Sequence, residues 1–209
     1  EQAFTFWSKL TKYQQEQMID HLGKIERKKG EIHYHGDKDC AGVEIIKSGR
    51  ARIFLTSPNG GEITLYRLLA GDVCILSAAC MIKNLNLETH VEYEEDTVTF
   101  YIPKMLFKEI SDGNAEVKEY VLELVSEKFS DVMWLFKQFM FTNMAKRLAD
   151  ALLEHHALAG SEHIQITHDA LAKDLGTARE VVTRLLKQFQ LDGIVHLARG
   201  TITILDVDK

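Results

Sequence analysis

The sequence feature that most constrains the fold is a long run of apolar residues spaced three and four positions apart between Ala115 and Met140. This spacing is typical of one face of an α-helix. Because no proline or glycine interrupts the run, we predict a single helix of about 40 Å. Its apolar stripe is broad, so we predict pairing with a twin helix in a homodimer, with packing inside its own domain as the alternative. The residues predicted to face the twin are Val121, Leu124, Val125, Phe129, Val132 and Phe136.

The part of the chain before this helix is predicted to be mostly β-structure. The stretch GVEIIKSGRARIFLTSPNGGEITLYRLLAGDV contains short β-branched segments broken by turn residues. Asn-Gly within Ser57 to Glu62 indicates a hairpin, and Glu94 to Pro103 indicates another strand. A short helix is expected before them, from about Lys12 to Leu22. Several short strands at regular spacing predict an antiparallel sandwich or β-roll.

The part after the long helix has the order of a winged helix-turn-helix. Met144 to Leu158 is an amphipathic helix, Thr167 is a candidate N-cap for a second helix, and Gly176 marks a tight turn before a third. Two short strands around Arg199-Gly200 follow. We therefore predict an α+β fold with a β-roll sensor domain at 1–110, a dimerisation helix at 111–143 and a winged helix-turn-helix domain at 144–209.

The third helix of this part separates polar from apolar residues. On an ideal helix Arg179, Glu180, Thr183, Arg184 and Lys187 fall within one arc of roughly 140°. A solvent-exposed amphipathic helix explains that pattern equally simply. The preceding helix and the glycine turn favour a recognition helix that enters the DNA major groove, where arginine fits guanine and glutamate accepts from cytosine. The opposite side is filled by Ala178, Val181, Val182, Leu185, Leu186 and Phe189.

Over nearly its whole length the chain resembles the cyclic-AMP receptor protein/fumarate–nitrate reduction regulator (Crp–Fnr) family of bacterial transcription factors. The resemblance is carried by SGRARIFLTSPNGGEITLYRLLAGD, by the long helix and above all by ITHDALAKDLGTAREVVTRLLKQFQLDGIV. It implies a cupin-like double-stranded β-helix roll, homodimers on double-stranded DNA, and RNA polymerase as a partner.

For the site, the resemblance implies that Arg179, Glu180 and Arg184 contact bases of a two-fold, TGTGA-like half-site. Thr183 stands beside them where the fumarate–nitrate branch has serine. Ala178 replaces a hydroxyl residue that contacts a DNA phosphate in the receptor protein, so one contact to the DNA backbone is expected to be missing. The residues expected at phosphates are Thr167, Thr177, Lys187 and Arg199.

The sensor segment, residues 70–96, determines which effector fits. It contains no arginine, and Lys83 is its only permanent cation. Acidic residues are concentrated at its C-terminal end. A phosphate needs donors and positive charge, which disfavours cyclic AMP. The effector is therefore an unidentified small molecule, or the roll is a ligand-free scaffold. The candidate pocket residues are Gly71, Asp72, Val73, Cys74, Ser77 and Cys80.

The cysteines and histidines leave haem binding and thiol sensing open as alternative functions of the roll. With only Cys40, Cys74 and Cys80, an intrinsic four-cysteine iron–sulfur cluster is excluded. The segment GDVCILSAAC resembles the haem-ligand segment of the carbon-monoxide-sensing branch, with Ser77 in place of its histidine, so haem stays an alternative with a ligand from His33, His35 or His90. Thiol sensing by Cys74 or Cys80 is another, although apolar surroundings favour buried core cysteines.

Histidines also raise the question of a metal site. His33 and His35 with Asp37 and Asp39 could bind a metal, but an exposed polar loop is the favoured interpretation and no metal site is predicted.

Composition excludes other classes. The longest apolar run, Val73 to Ile82, is too short for a bilayer, and no secretion pattern opens the chain. The odd cysteine count favours a reducing cytoplasm. A net charge of −6 disfavours a protein that binds nucleic acid over much of its surface, but it is compatible with a local DNA-binding face. No G-x-S-x-G, HExxH or phosphate-binding glycine loop is present, so we expect no enzyme. A purely protein-binding module is the remaining alternative.

Overall fold

The computed structural model describes residues 4–35, 42–74 and 89–207. It divides into two compact units. One comprises the chain up to Leu55 together with Leu65–Met133, and the other comprises Thr56–Thr64 together with Trp134–Lys209. Within the described residues, no helix is both long and apolar enough to cross a membrane.

The first unit is built on two antiparallel four-stranded sheets. One contains β1 (Gly23–Arg27), β3 (Gly42–Ser48), β6 (Val73–Cys74) and β8 (Thr97–Pro103), in the order β1-β8-β3-β6. The other contains β2 (Ile32–His35), β4 (Ala51–Thr56), β5 (Glu62–Leu68) and β7 (Thr89–Tyr93), in the order β2-β7-β4-β5. Strands β4 and β5 form the hairpin that Asn-Gly indicated, with Gly60 in the left-handed region at φ +78°.

Two apolar clusters hold this unit together. Residues of β3, β4, β5, β6 and β7 form one of them, among them Ile53, Leu68 and Tyr93. The other joins the first sheet to three helices, α1 (Lys12–Asp20), α2 (Lys104–Gly113) and the first turns of α3 (Ala115–Phe141). Its buried members are Phe4, Phe6, Leu10, Met18, Val43, Val73, Ile102, Phe107, Ile110, Val117, Tyr120 and Val121.

The second unit contains the C-terminal helices and a small sheet. Its elements are the end of α3, α4 (Met144–Ala159), β9 (His163–Ile164), α5 (His168–Leu175), α6 (Arg179–Leu191), β10 (Val195–Ala198) and β11 (Thr201–Ile204). The sheet order is β10-β11-β9. Side chains cap two of the helices, because Asn143 Oδ1 accepts from the Lys146 N–H and Thr167 Oγ1 accepts from the Ala170 N–H.

The sequence-based fold class is confirmed: an antiparallel β-roll, a long central helix and a C-terminal winged helix-turn-helix. The long helix ends one residue beyond the predicted stretch, and the N-cap role of Thr167 is confirmed. The domain boundaries after residues 110 and 143 stay a prediction.

Two local predictions need correction, and one short strand was not predicted. The polar-loop interpretation of His33 and His35 is wrong, because both belong to β2, which pairs antiparallel with β7. The third wing strand, β9, was not predicted; it is only two residues long and pairs with β11 at the far side of the wing. Ala178 was assigned to the apolar side of its helix, yet it is the exposed N-cap residue.

Gly176, at the turn between α5 and α6, gives the first testable prediction. Its φ is +62°, and a Cβ there would lie 3.3 Å from Ile63 and from the Phe139 ring. Gly160 is a matched control, with φ +59° and no atom within 4 Å of a Cβ. We expect Gly160→Ala to lower the free energy of unfolding by about 1 kcal/mol and Gly176→Ala by about 2 kcal/mol, measured by urea denaturation. Equal losses would show that Ile63 and Phe139 give way without cost.

Candidate nucleic-acid interface

Helix α6 is fixed to the second unit through its apolar side. Val182 and Leu186 are fully buried and pack in one cluster with Leu171 and Leu175 of α5. Gly176, in the left-handed conformation, donates its N–H to carbonyls of α5 and turns the chain into α6. The opposite side of α6 is thereby directed to solvent.

The solvent side of α6 carries the predicted base-reading residues. Arg179, Glu180, Thr183, Arg184 and Lys187 line one open depression on the surface, together with Gln188 and Leu191. Within the described part of the chain, the four charged side chains of this set form no ion pair or side-chain hydrogen bond. Since such groups are solvated and unpaired, they are available to bases and phosphates.

Thr183 differs from its charged neighbours because its hydroxyl already has a partner. It is half-buried, and its Oγ1 lies 2.9 Å from Nδ1 of His168, the first residue of α5. Burial lowers the pKa of His168, and the positive charge of Arg179 lowers it further. Sequence reasoning missed this contact, since it depends on how two helices cross.

The predicted phosphate contacts lie on separate elements. Thr167 is exposed at the start of α5, and Thr177 is half-buried in the turn, where its N–H donates to the Ala172 carbonyl. Lys187 is exposed on α6, and Arg199 is exposed at the tip of the wing beside Gly200. Only Lys187 shares the depression with the base-reading set.

A network behind the turn holds the C-terminal end of α5. The buried Arg147 guanidinium donates to the Leu175 carbonyl at 2.6 Å and lies 3.6 Å from the centre of the Phe139 ring. Burial lowers the pKa of this guanidinium. Asp174 accepts from Thr64 Oγ1 at 2.6 Å and lies 2.7 Å from Nε2 of His155. No sequence motif pointed to this network, because its members come from four distant segments.

The predicted dimer residues on α3 fall into two groups. Val121 is buried in the roll cluster and Leu124 packs against it, so the structure differs from the prediction at Val121. Further along, Phe129 and Phe136 are 65% and 57% exposed. Apolar residues in steps of three and four continue this stripe, and they are Leu122, Val125, Phe129, Val132, Phe136 and Phe139.

The predicted effector residues are only partly described. Gly71 is exposed with φ +99°, and the Asp72 carboxylate accepts from the Leu69 N–H at 2.8 Å. Val73 and Cys74 are buried in β6, in different apolar clusters. Ser77 and Cys80, like Cys40 and Lys83, lie outside the described residues.

Charged and histidine side chains of the roll are engaged with one another. Arg50 and Arg67 bind Glu94, and Arg52 binds Glu92 at 2.7 Å. Elsewhere in the roll, His33 contacts Glu31 and Arg27, and the His90 ring stacks on Phe54. In the ranges that the structure describes, no three His, Cys, Asp or Glu residues are grouped as metal ligands.

Comparisons with known proteins follow the same division. The sequence matches the profile of the Crp-like helix-turn-helix domain over residues 146–209 and that of the cyclic nucleotide-binding domain over residues 24–114. A crystal structure described as a transcriptional regulator of the Crp/Fnr family from Eubacterium rectale has 42% identity and a TM-score of 0.94, covering 100% of this chain and 96% of that one.

Two curated bacterial proteins are more distant relatives. The cyclic AMP receptor protein of Thermus thermophilus is 25% identical over 83% of this chain and 79% of its own length. The anaerobic regulatory protein of Haemophilus influenzae is 22% identical over 92% of this chain and 79% of its own length.

A β-roll joined through a long helix to a winged helix-turn-helix with a cationic outer face defines a DNA-binding transcriptional regulator. The identity and coverage of the Eubacterium rectale relative, with both domain matches, make the assignment specific. The chain belongs to the Crp–Fnr family of transcriptional regulators.

Ala178 gives a prediction that stability alone can test. As the exposed N-cap of α6 it offers no side-chain acceptor to the first N–H groups of the helix. We expect Ala178→Ser to raise the free energy of unfolding by about 0.5–1 kcal/mol, because serine oxygen accepts from such an N–H. Ala178→Val, which adds bulk without an acceptor, is the control in the same urea titration. An equal gain from valine would contradict the capping explanation.

Proposed function

We propose that the protein is a homodimer that binds a pseudo-palindromic DNA site with TGTGA-like half-sites, placed about one helical turn apart. The observation that carries this proposal is the outer side of α6, where four charged side chains line one depression and form no ion pair with any residue that the structure describes. Similarity to the Crp–Fnr family supplies the half-site sequence. The experiment that tests it is selection of binding sites from a random duplex pool.

Each base-reading residue has a proposed role. Arg179 and Arg184 donate bidentately to guanine O6 and N7, and Glu180 accepts from the cytosine amino group. Thr183 contacts a fourth base through its hydroxyl. Arg179 and Glu180 open α6, and the N-terminal end of a recognition helix is where base contacts concentrate in this motif.

Phosphate contacts fix the register on the duplex. We assign them to Thr167, Thr177, Lys187 and Arg199, which sit at the start of α5, in the turn, on α6 and on the wing. Thr167 oxygen accepts an N–H within its own helix, and its hydroxyl hydrogen stays available for a phosphate. Only a few cations are involved, so non-specific affinity is modest, and each phosphate contact contributes about one ion to its dependence on salt.

The exposed stripe of α3 is the proposed dimer contact. Its residues recur with the spacing of a coiled-coil seam, and large exposed aromatic side chains are costly in water. Phe129, Val132 and Phe136 are its centre, with Val125 beside them and Leu124 nearer the roll. Val121 contributes to the roll core instead.

The effector of the roll is proposed to be a small molecule other than cyclic AMP. Arg50, Arg52 and Arg67 are each paired with a carboxylate, so these guanidinium groups are already neutralised. Gly71, Asp72, Val73 and Cys74 stay the proposed pocket edge. Haem binding, thiol sensing and a ligand-free roll are the alternatives. RNA polymerase is the proposed further partner, and the chromosome in the cytoplasm the place of action.

Arg184 and Lys187 should affect DNA binding in different ways. Arg184→Ala is expected to lower affinity for the selected site about 10-fold or more and to relax preference at one base pair, because a bidentate base contact is lost. Lys187→Ala should weaken all duplexes by a similar factor and reduce the salt dependence by about one ion. Fluorescence anisotropy over a salt series measures both. Equal loss on selected and scrambled duplexes for Arg184→Ala would contradict its base-reading role.

The dimer proposal is tested on α3. The double variant Phe129→Glu, Phe136→Glu should sediment as a monomer, because carboxylates would face carboxylates in the seam, and it should lose the preference for two half-sites. Trp134→Glu is the control, since Trp134 is exposed on the other side of the helix. A monomeric Trp134→Glu variant beside a dimeric double variant would place the interface elsewhere.

A further inference from the structure

The contact between His168 and Thr183 joins the two helices of the DNA-binding motif at the base-reading face. His168 opens α5, Thr183 is one turn into α6, and Nδ1 lies 2.9 Å from Oγ1. Thr183 also lines the depression with Arg179, Glu180 and Arg184. The hydroxyl that is placed to meet a base is therefore bonded to a titratable ring.

Hydrogen-bond chemistry gives this contact two forms. A threonine hydroxyl has one hydrogen to donate and two lone pairs to accept. When the neutral ring carries its hydrogen on Nε2, Nδ1 accepts the hydroxyl hydrogen, and only the two oxygen lone pairs are left for a base. When the ring is protonated, Nδ1 donates to the hydroxyl oxygen, and the hydroxyl hydrogen is released toward the groove.

We propose that His168 is a positioning residue that sets which base Thr183 reads, through the direction of the hydrogen bond between them. This inference rests on the proposed reading of DNA by α6. With the neutral ring accepting, Thr183 accepts from an amino group, which only adenine and cytosine present in the major groove. With the protonated ring donating, Thr183 donates to an acceptor, which guanine O6 and N7, adenine N7 and thymine O4 supply and cytosine does not.

The surroundings of His168 decide when the two forms exchange. Arg179 on α6 acts on the ring through its charge, and Asp169 is the acid beside it on α5. The α4 groups that contact α5, Arg147 and His155, meet its other end at Leu175 and Asp174. Burial and Arg179 lower the pKa of His168, so the free protein holds the neutral ring at neutral pH.

DNA shifts this balance in the opposite direction. Phosphates beside the ring favour its charged form and raise its pKa, so the bound protein takes up a proton more readily than the free one. By linkage, protonation must then tighten binding by the same factor. A rise of one pKa unit on binding corresponds to about 10-fold higher affinity below the titration range than above it.

The test compares base preference at two pH values. Wild-type protein is titrated with duplexes carrying every base pair at each half-site position, at about pH 5.5 and about pH 8, on either side of the ordinary histidine range. We expect one position to favour adenine or cytosine over guanine and thymine at high pH and to disfavour cytosine against the other three bases at low pH, each by about fivefold, the size of one hydrogen bond. The other positions should keep their preferences.

Three variants distinguish a His168 that sets the direction of the hydrogen bond to Thr183 from a His168 that only packs between the two helices. His168→Gln has no titrating group, so the preference at that position should no longer depend on pH. Thr183→Val keeps the shape without the hydroxyl, so preference there should vanish at both pH values. His163→Gln is the matched control, because His163 Nδ1 makes the same 2.9 Å contact with Thr203 Oγ1 on the wing sheet; it should leave the wild-type change intact.

The outcomes are distinct. Preferences that are unchanged with pH at every position would overturn the role of His168 while leaving the reading of DNA by α6 in place. A change that persists in His168→Gln would also overturn it. Wild-type protein without preference at any position would overturn the proposed function itself. Circular dichroism of each variant at both pH values establishes that folding is intact.

Discussion

The closure of the C-terminal end of α5 is the interaction on which the orientation of α6 depends. A helix end leaves carbonyl groups without partners, and here the Leu175 carbonyl receives the buried Arg147 guanidinium. Gly176 closes the same end in the left-handed conformation, so the chain turns and α6 begins three residues later. The direction of α6, and with it the side that faces outward, follows from this one capped end.

Charge is distributed in two contrasting ways in the molecule. In the roll, arginines form ion pairs with carboxylates. Examples are Arg52 with Glu92 and Arg67 with Glu94, whose guanidinium groups are nearly inaccessible to water. On α6 the cations line an open depression and form no ion pair with the described part of the chain. A chain with a net charge of −6 can therefore still present a local positive surface, because pairing rather than composition decides which charges a ligand meets.

Sequence reasoning succeeded where the controlling physics is local. The uninterrupted apolar spacing predicted α3 to within one residue, and Thr167 was recognised as an N-cap, since both depend on a few neighbouring residues. The arc of polar side chains on α6 was predicted for the same reason, because helix geometry alone brings these residues together. At Val121 the same periodicity could not distinguish a dimer face from a roll core, since both are apolar.

Contacts between distant segments were not predicted. The hydroxyl of Thr64 reaches Asp174, 110 residues away, and no periodicity or motif encodes such a pair. The bond of Thr183 to His168 is of the same kind, because its existence depends on the crossing of α5 and α6. The strand β2 was misread because polar histidines resemble a loop unless their pairing with β7 is known.

The long helix shows how one regular element serves two separate needs. Its first turns bury Val117, Tyr120 and Val121 in the roll cluster, so they contribute to the folding of a single chain. From Leu122 onward the large apolar side chains of the helix are mostly exposed, and in the proposed dimer a second copy of the chain would bury them. Because hydrophobic stabilisation follows the area removed from water, the first group stabilises the fold at any concentration. In the proposed dimer the second group would stabilise only the assembly, and its contribution would rise with protein concentration.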